Sequence, residues 1–140
     1  MTEKYFFDSN IWLYLFLEKG SEKSLIAKNC IESNVLENRI VISWQVLNEV
    51  SVNLLRKGFV EQQVLAAVKW LCRIATVQDF TEEILLNASL LRQKYLFSYW
   101  DSLIVASALE SNCSFLISED MQNEQRISNL RILNIFTKKI

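Results

Sequence analysis

Short apolar runs alternate along the chain with longer segments in which apolar residues recur every three or four positions. The short runs are rich in β-branched and aromatic side chains and end at polar residues, which predicts β-strands. The longer segments have the spacing of amphipathic helices. The predicted strands are 4–7, 39–42, 74–77, 114–117 and 131–135.

Helices are predicted in the intervals between these strands. The segment 11–17 is nearly continuously apolar and ends before Gly20, whereas 98–109 is apolar almost all round, as expected for a central helix. The predicted helices are 11–17, 25–31, 46–55, 60–71, 81–95 and 98–109.

Strands that alternate with helices of this length predict an α/β fold with a central, mostly parallel sheet covered by helices on both faces. The chain has 140 residues, a length that fits one domain. It contains no linker rich in Pro, Gly or Ser, no internal repeat and no charge block. We therefore expect a single domain over residues 1–140.

The residue types that are missing restrict the chemistry. The sequence has no histidine, no proline and only two glycines, Gly20 and Gly58. The lack of histidine excludes Ser-His-Asp and Cys-His catalysis and histidine-dependent zinc sites. Two isolated glycines cannot form a phosphate-binding loop or a dinucleotide fingerprint. Any chemistry must use carboxylates, hydroxyls, amines or thiols.

Cysteine usage and hydropathy bear on location. Cys30, Cys72 and Cys113 are an odd number at wide spacing, which predicts buried core thiols in a reducing compartment rather than a disulfide framework. The apolar run 11–17 is too short for a signal peptide, and no stretch approaches the ~20 apolar residues of a membrane span. We expect a soluble cytoplasmic protein without a membrane partner.

Four acidic residues stand where a parallel sheet would bring them together. Asp8 and Asp120 follow the first and fourth predicted strands, and Glu49 and Asp101 interrupt otherwise apolar helices near their starts. Sites in parallel sheets lie beyond the carboxyl ends of the strands. All four acids are therefore candidates for one site at that edge.

Each acid taken alone has an ordinary interpretation. Asp8 and Asp120 could be helix caps or turn residues, and Ser98-x-x-Asp101 fits a variant of the capping box. Glu49 could be a partly exposed acid at a helix edge. The shared position at one sheet edge favours a joint functional role over four separate ones.

Converging carboxylates need a counter-charge. Two unit charges ~4 Å apart repel by about 4 kcal/mol at an effective dielectric constant of 20, so the cluster must take up protons or bind a cation. Oxygen ligands without histidine or thiolate favour Mg²⁺ or Mn²⁺, the ions that assist phosphodiester hydrolysis. The net charge is −1, but without the four acids 15 basic residues face 12 acidic ones, which is compatible with a polyanionic substrate.

Basic and aromatic residues supply further candidates for nucleic-acid contact. Of the tryptophans, Trp12 and Trp70 are expected in the core, whereas Trp44 and Trp100 adjoin segments with a candidate acid and could stack on bases. The basic candidates, whose ordinary interpretation is a solvated surface charge, are Arg56, Lys57, Arg92, Lys94, Arg126, Arg131, Lys138 and Lys139.

Four motifs together resemble the PIN-domain family, in particular its small VapC-type toxins. They read FDSNIWL at 7–13, SWQVLNE at 43–49, YWDSLIVASALE at 99–110 and FLISEDMQ at 115–122. Their order and spacing extend the resemblance over nearly the whole chain. The chain departs from the family in two places. Many relatives carry a glycine after the last acid, where this chain has residues 123–125. Many also carry an Asn-Pro-Phe near the last strand, where this chain has Asn134-Ile135-Phe136.

The resemblance implies an α/β/α sandwich and a Mg²⁺- or Mn²⁺-dependent endoribonuclease. Its catalytic and metal-binding acids would be Asp8, Glu49, Asp101 and Asp120. It also implies a homodimer, an RNA substrate and inhibition by an antitoxin encoded alongside. Asn10 and Ser118 match positions that support the acids in the family, and Glu119 is a spare acid beside Asp120.

Two alternatives stay open. A non-catalytic PIN-like module could bind RNA or protein, although such a module has no need to keep four acids. A phosphoryl-accepting domain also places an Asp after its first strand, but the second acid of a phosphatase Asp-x-Asp is Asn10 here.

Overall fold

The computed structural model describes residues 3–137, and within them the chain forms six strands and six helices. The strands are β1 (Tyr5–Phe7), β2 (Ile40–Ser43), β3 (Thr76–Gln78), β4 (Phe115–Ile117), β5 (Arg126–Ile127) and β6 (Leu130–Leu133). The helices are α1 (Ser9–Leu17), α2 (Glu22–Val35), α3 (Trp44–Arg56), α4 (Glu61–Ile74), α5 (Glu82–Lys94) and α6 (Tyr99–Glu110).

The strands form one sheet in the order β3-β2-β1-β4-β6-β5. Neighbouring strands are parallel except β5, which pairs antiparallel with β6. In the central strand β1, Phe6 lies between Val41 of β2 and Leu116 of β4, and all three side chains are buried. The mostly parallel sheet predicted from the sequence is confirmed.

Helices cover both faces of the sheet. The chain moves from β1 to β3 through α1–α4 and returns to β4 through α5 and α6. Because crossovers between parallel strands are right-handed, these opposite directions place the two helix sets on opposite faces. The contacts agree: α1 packs on α2 and α3, and α5 packs on α6, which also touches β2 and β4. The fold is the predicted α/β/α sandwich.

Helix α6 is the central helix that its composition predicts. All seven residues of 102–108 are buried, because α6 lies between the sheet on one side and α5 on the other. No helix within residues 3–137 combines the length and the apolar character that crossing a membrane requires.

Three strand predictions need correction, and the first is β3, which was predicted over 74–77 but spans Thr76–Gln78 because α4 continues through Ile74. The two-residue strand β5 was missed, because it is too short for an alternating pattern and its turn to β6 uses Ser128 at a φ of 56° rather than a glycine. The last strand ends at Leu133, not at 135, because the Asn134 N–H donates to Asn123 Oδ1 at 2.8 Å instead of to a strand.

The expectation that all three cysteines are core thiols is wrong for one of them. Cys113 is buried and Cys30 is half-buried, but Cys72 is exposed on α4. Burial raises the pKa of the Cys30 thiol to about 11. Burial is also the largest influence on the Cys113 thiol, whose pKa is raised to about 12. These two thiols therefore stay protonated and contribute to packing.

We predict that Leu116→Ala destabilises the protein by about 2–5 kcal/mol, because it leaves a cavity under the middle of the sheet. Leu65→Ala is the matched control, since Leu65 is 53% exposed on α4 and should change stability by less than about 0.5 kcal/mol. Urea unfolding followed by circular dichroism measures both. Equal losses in the two variants would contradict the core described here.

Candidate active site

Two central strands bring the first and last acids to the same edge. Phe7 at the end of β1 lies opposite Ile117 at the end of β4. The residues that follow, Asp8 and the segment 118–120, therefore start side by side. The Asp8 N–H donates to Ile117 O at 3.0 Å and joins the two strand ends.

Asp8 is fixed and almost fully buried, with 4% of its surface exposed. Its Oδ1 accepts from Ser9 N, and its Oδ2 accepts from the Ser118 hydroxyl, both at 2.8 Å. Asp8 also caps α1, so its ordinary interpretation as a helix cap is confirmed, and its functional role stays a prediction. Burial raises the pKa of its carboxyl to about 7 against the opposing hydrogen bonds, and the charges of Glu49 and Asp101 raise it further.

Asn10 and Ser118 connect Asp8 to Asp120. Asn10 Nδ2 donates to Asp120 Oδ2 at 3.0 Å and to Ser118 Oγ at 3.4 Å, and its Oδ1 accepts from Glu119 N at 3.3 Å. Ser118 Oγ also accepts from Asp120 N at 3.3 Å. Of the two polar residues that the family resemblance singles out, Asn10 thus holds the exposed side chain of Asp120 and Ser118 holds its backbone N–H.

Glu49 and Asp101 come from helices that begin near this edge. The Ser43 hydroxyl caps α3, and the Ser98 hydroxyl caps α6 by accepting from Asp101 N at 3.1 Å, which is the serine half of the predicted capping box. Burial raises the pKa of both carboxyls. Hydrogen bonds from Gln45 and Ser98, respectively, oppose that rise.

The four acids share one electrostatic environment. Beyond burial, the charges of Asp101 and Asp120 raise the pKa of Glu49, and the charge of Asp120 raises that of Asp101. Glu49 Oε1 is buried without a hydrogen-bond partner. Within residues 3–137, no group of three or more Asp, Glu or Cys side chains is already arranged as a metal cage.

The donor chemistry fits a hard divalent cation. Every ligand atom the four acids offer is a carboxylate oxygen, their charges repel one another, and one oxygen of Glu49 lacks any partner. A cation among them would relieve the repulsion and satisfy that oxygen.

Glu119 is committed to other partners. Its two oxygens accept from the Tyr14 hydroxyl at 2.6 Å and from the Lys23 ammonium. Burial opposes ionisation of Glu119, but the hydrogen bonds from Lys23 and Tyr14 outweigh it and lower its pKa. Glu119, the additional acid beside Asp120, is therefore held by an ion pair with Lys23 of α2 and a hydrogen bond from Tyr14 of α1.

Three grooves border the acids, and the smallest of them, with a volume of about 280 Å³, is lined by residues that include Asn10, Glu119 and Asp120. The largest, which we call the aromatic groove, has a volume of about 810 Å³ and reaches Glu49 between α3 and α6. The other has a volume of about 350 Å³, contains Asp101 and Asp120, and has Lys94 at its rim. The aromatic groove is lined by residues that include Trp44, Gln45, Glu49, Arg56, Phe80 and Trp100.

The basic candidates separate into free and committed side chains. Arg131 forms an ion pair with Glu124, and Arg92 donates to Ser102 Oγ at 2.8 Å. Arg56 lines the aromatic groove, and Lys94 lines the groove that contains Asp101 and Asp120, with its ammonium 5.5 Å from the centroid of the Tyr95 ring. Lys57 and Arg126 are exposed elsewhere on the surface. Lys138 and Lys139 lie outside the described residues.

The expected core packing of Trp12 and Trp70 is confirmed, whereas base stacking by Trp44 and Trp100 stays a prediction. Trp12 is fully buried and Trp70 packs edge-on against it, with ring centroids 6.1 Å apart. Trp44 and Trp100 are 46% and 63% exposed.

Sequence reasoning missed Asp79, although the rule of acids at strand ends should have found it. Strand β3 was predicted over 74–77 but ends at Gln78, so Asp79 directly follows it. Asp79 Oδ1 accepts from Trp44 Nε1 at 2.8 Å and thereby holds the indole at the mouth of the aromatic groove. The pairing of Glu119 with Tyr14 and Lys23 had no signal in the sequence.

This is a three-layer α/β domain whose candidate chemistry rests on carboxylates at the end of a parallel sheet. The family model for the PIN domain matches residues 5–126, so the chain belongs to the PIN domain family, as the motifs predicted. No curated protein matches the chain in sequence.

Solved structures share the fold. A toxin-antitoxin complex from Klebsiella pneumoniae superposes with a TM-score of 0.73 at 22% identity, covering 95% of this chain and 98% of that chain. VapBC2 from Rickettsia felis, bound to a DNA fragment from its promoter, gives 0.69 at 22% identity, covering 91% and 96%. VapC20 from Mycobacterium tuberculosis, described as a Sarcin-Ricin loop cleaving toxin, gives 0.65 at 21% identity, covering 81% and 87%.

We predict that the free energy of unfolding, measured in EDTA, falls as the pH rises from about 4 to about 7. The fold raises the Asp8 pKa from its ordinary value of 3.8 to about 7, so the folded state is favoured while this carboxyl is protonated and loses that advantage as the pH passes the folded pKa. The raised pKa values of Glu49 and Asp101 act in the same direction.

Asp8→Asn should remove the largest part of this fall and stabilise the protein above pH 7, by up to the order of 4 kcal/mol. Urea unfolding of both proteins over this pH range measures the difference. Superimposable pH profiles for wild type and variant would show that Asp8 is not the buried acid described here.

Proposed function

We propose that this protein is a Mg²⁺- or Mn²⁺-dependent endoribonuclease in which Asp8, Glu49, Asp101 and Asp120 form the catalytic and metal-binding site. The observation that carries the proposal is the coupling of these acids: burial and one another's charge raise the pKa of three of them, and a buried Glu49 oxygen lacks a partner. Perturbed carboxylates at the open edge of a parallel sheet are typical of a functional site.

The comparisons support nuclease chemistry and RNA as the substrate. The chain belongs to the PIN domain family, and a protein that shares its fold is described as cleaving the sarcin-ricin loop. A non-catalytic binding module is less well supported, because it does not account for the energetic cost of grouping four acids.

The acids would have different roles in binding the ion. Asp8 and Asp101 would be the principal ligands of the ion, and Asp120 would complete the site directly or through water. A bound ion would supply positive charge that neutralises the acids, polarises the phosphoryl oxygen and lowers the pKa of water.

Ser118 and the Ser9 amide fix the Asp8 carboxylate, and Asn10 orients Asp120. The partnerless Glu49 oxygen would bind a second ion or orient the attacking water. Attack of this water on phosphorus, in line with the departing sugar oxygen, would leave 5′-phosphate and 3′-hydroxyl ends.

We further propose that the protein is a cytoplasmic toxin that forms a homodimer and is inhibited by a cognate antitoxin. Structures that share its fold are toxin-antitoxin complexes. Two apolar surfaces could serve such contacts: Leu85, Leu86 and Leu90 are exposed on α5, and a cavity of about 500 Å³ lies between α1, α2 and α4.

We predict that Asp8→Asn and Asp101→Asn each lower the rate of RNA cleavage in Mn²⁺ by more than ~100-fold, because each removes a ligand whose ion contributes several kcal/mol to the transition state. Purified proteins are incubated with RNA and the products separated on a denaturing gel. Glu110→Gln, which alters an exposed acid at the far end of the same helix as Asp101, should cleave like the wild type.

Equal cleavage by wild type and the two Asn variants would mean that the activity belongs to a contaminant. If the wild type bound RNA without cleaving it in either ion, the chain would be the non-catalytic module instead.

We predict that Mn²⁺ raises the melting temperature of the wild type and of Glu119→Gln equally, but that of Asp120→Asn less. Glu119 is occupied by Tyr14 and Lys23, whereas Asp120 faces the groove that also contains Asp101. Ion binding to the folded state alone stabilises by about 2.7 kcal/mol at 100 times the dissociation constant. If the Mn²⁺-induced rise in melting temperature were reduced more in Glu119→Gln than in Asp120→Asn, the ligand would be Glu119 and not Asp120.

A further inference from the structure

The aromatic groove exposes an unusual amount of ring surface next to the acids. Trp44, Phe80 and Trp100 are 46%, 56% and 63% exposed, and all three line the groove that reaches Glu49. Scattered apolar residues on a surface need no explanation, but large rings gathered in one concave feature mark a binding site.

Each of the two indoles that line the groove contacts a neighbouring side chain. Trp44 Nε1 donates to Asp79 Oδ1 at 2.8 Å, and Tyr99 packs edge-on against Trp100 with centroids 5.1 Å apart. Gln45 Nε2 donates to the Trp100 carbonyl at 3.3 Å and ties the start of α3 to the start of α6. Rings held in this way lose little conformational freedom when a planar ligand stacks on them.

The groove also has a direction. Groove residues recur every four positions along α3 and therefore share one face of the helix. They are Trp44, Asn48, Val52 and Arg56, so that the first and the last lie twelve residues apart. At 1.5 Å per residue the Cα atoms of Trp44 and Arg56 are about 18 Å apart along the axis. Glu49 lies between them, so one chain in the groove could contact an aromatic ring, the acids and a positive charge together.

We propose that the aromatic groove binds unpaired RNA nucleotides, whose bases stack on Trp44 and Trp100 while Arg56 contacts a backbone phosphate. The proposal rests on the proposed function and adds the subsite that selects single-stranded over double-stranded RNA. The faces of paired bases are covered by their neighbours, whereas splayed bases stack freely on aromatic side chains. The continuity of the groove with the acids and the charge of Arg56 favour RNA over an apolar protein helix.

Binding is tested apart from cleavage, in EDTA, with the full-length protein and a short fluorescein-labelled oligoadenylate followed by anisotropy. Trp44→Ala and Trp100→Ala should each weaken binding by about five- to 150-fold, the range for losing one base–aromatic stack. Trp44→Phe should restore most of the affinity because it keeps an aromatic face. Leu65→Ala, which removes an equally exposed apolar side chain on α4, should bind like the wild type.

The proposal is overturned if both alanine variants bind oligoadenylate like the wild type, or if the wild type does not bind it. It is also overturned if the tryptophans affect duplex RNA of the same length as strongly. Dissociation of a dimer by Trp44→Ala in ultracentrifugation, with RNA affinity unchanged, would assign the groove to a second copy of the chain.

Cleavage assays in Mn²⁺ separate this proposal from the proposed function. Both stand if the alanine variants cleave with a raised KM and a nearly unchanged kcat. Tryptophan-dependent binding without any cleavage would overturn the nuclease and support the groove. If the alanine variants cleaved RNA with the KM of the wild type, the groove proposal would be overturned and the nuclease proposal supported.

Discussion

The hydrogen bond between Ser118 and the buried carboxylate of Asp8 joins the first strand of the chain to the fourth, and the candidate site depends on it. It links two residues 110 positions apart at the point where the central strands end. Ser118 and Asn10 extend the link to Asp120, while α3 and α6 bring two further acids into range. Burial at this junction makes ionisation costly, and that cost makes a bound cation favourable.

The fold and the positions of the acids could be read from the sequence because both depend on local patterns. Alternating periodicities predict the layers, and the position of an acid directly after an apolar strand follows from chain order. Contacts between distant side chains carry no such pattern. The pairing of Glu119 with Lys23, and the bond from Trp44 to Asp79, depend on how helices and loops meet in space.

Two of the candidate acids also belong to the starts of helices. Asp8 caps α1, and Asp101 lies in the turn capped by Ser98. A cap fixes the first turn of a helix and hence the side chains that it carries. Such a residue looks ordinary when considered alone, and only its juxtaposition with other acids distinguishes it.

The borders of the sheet have a consequence for assembly. Strand β3 at one border has three residues, and β5 at the other has two and runs against its neighbour. Borders so short present few free backbone groups to another polypeptide, which protects against strand addition and runaway aggregation. The exposed apolar side chains Leu85, Leu86 and Leu90 lie instead on α5, on the helical flank of the sheet.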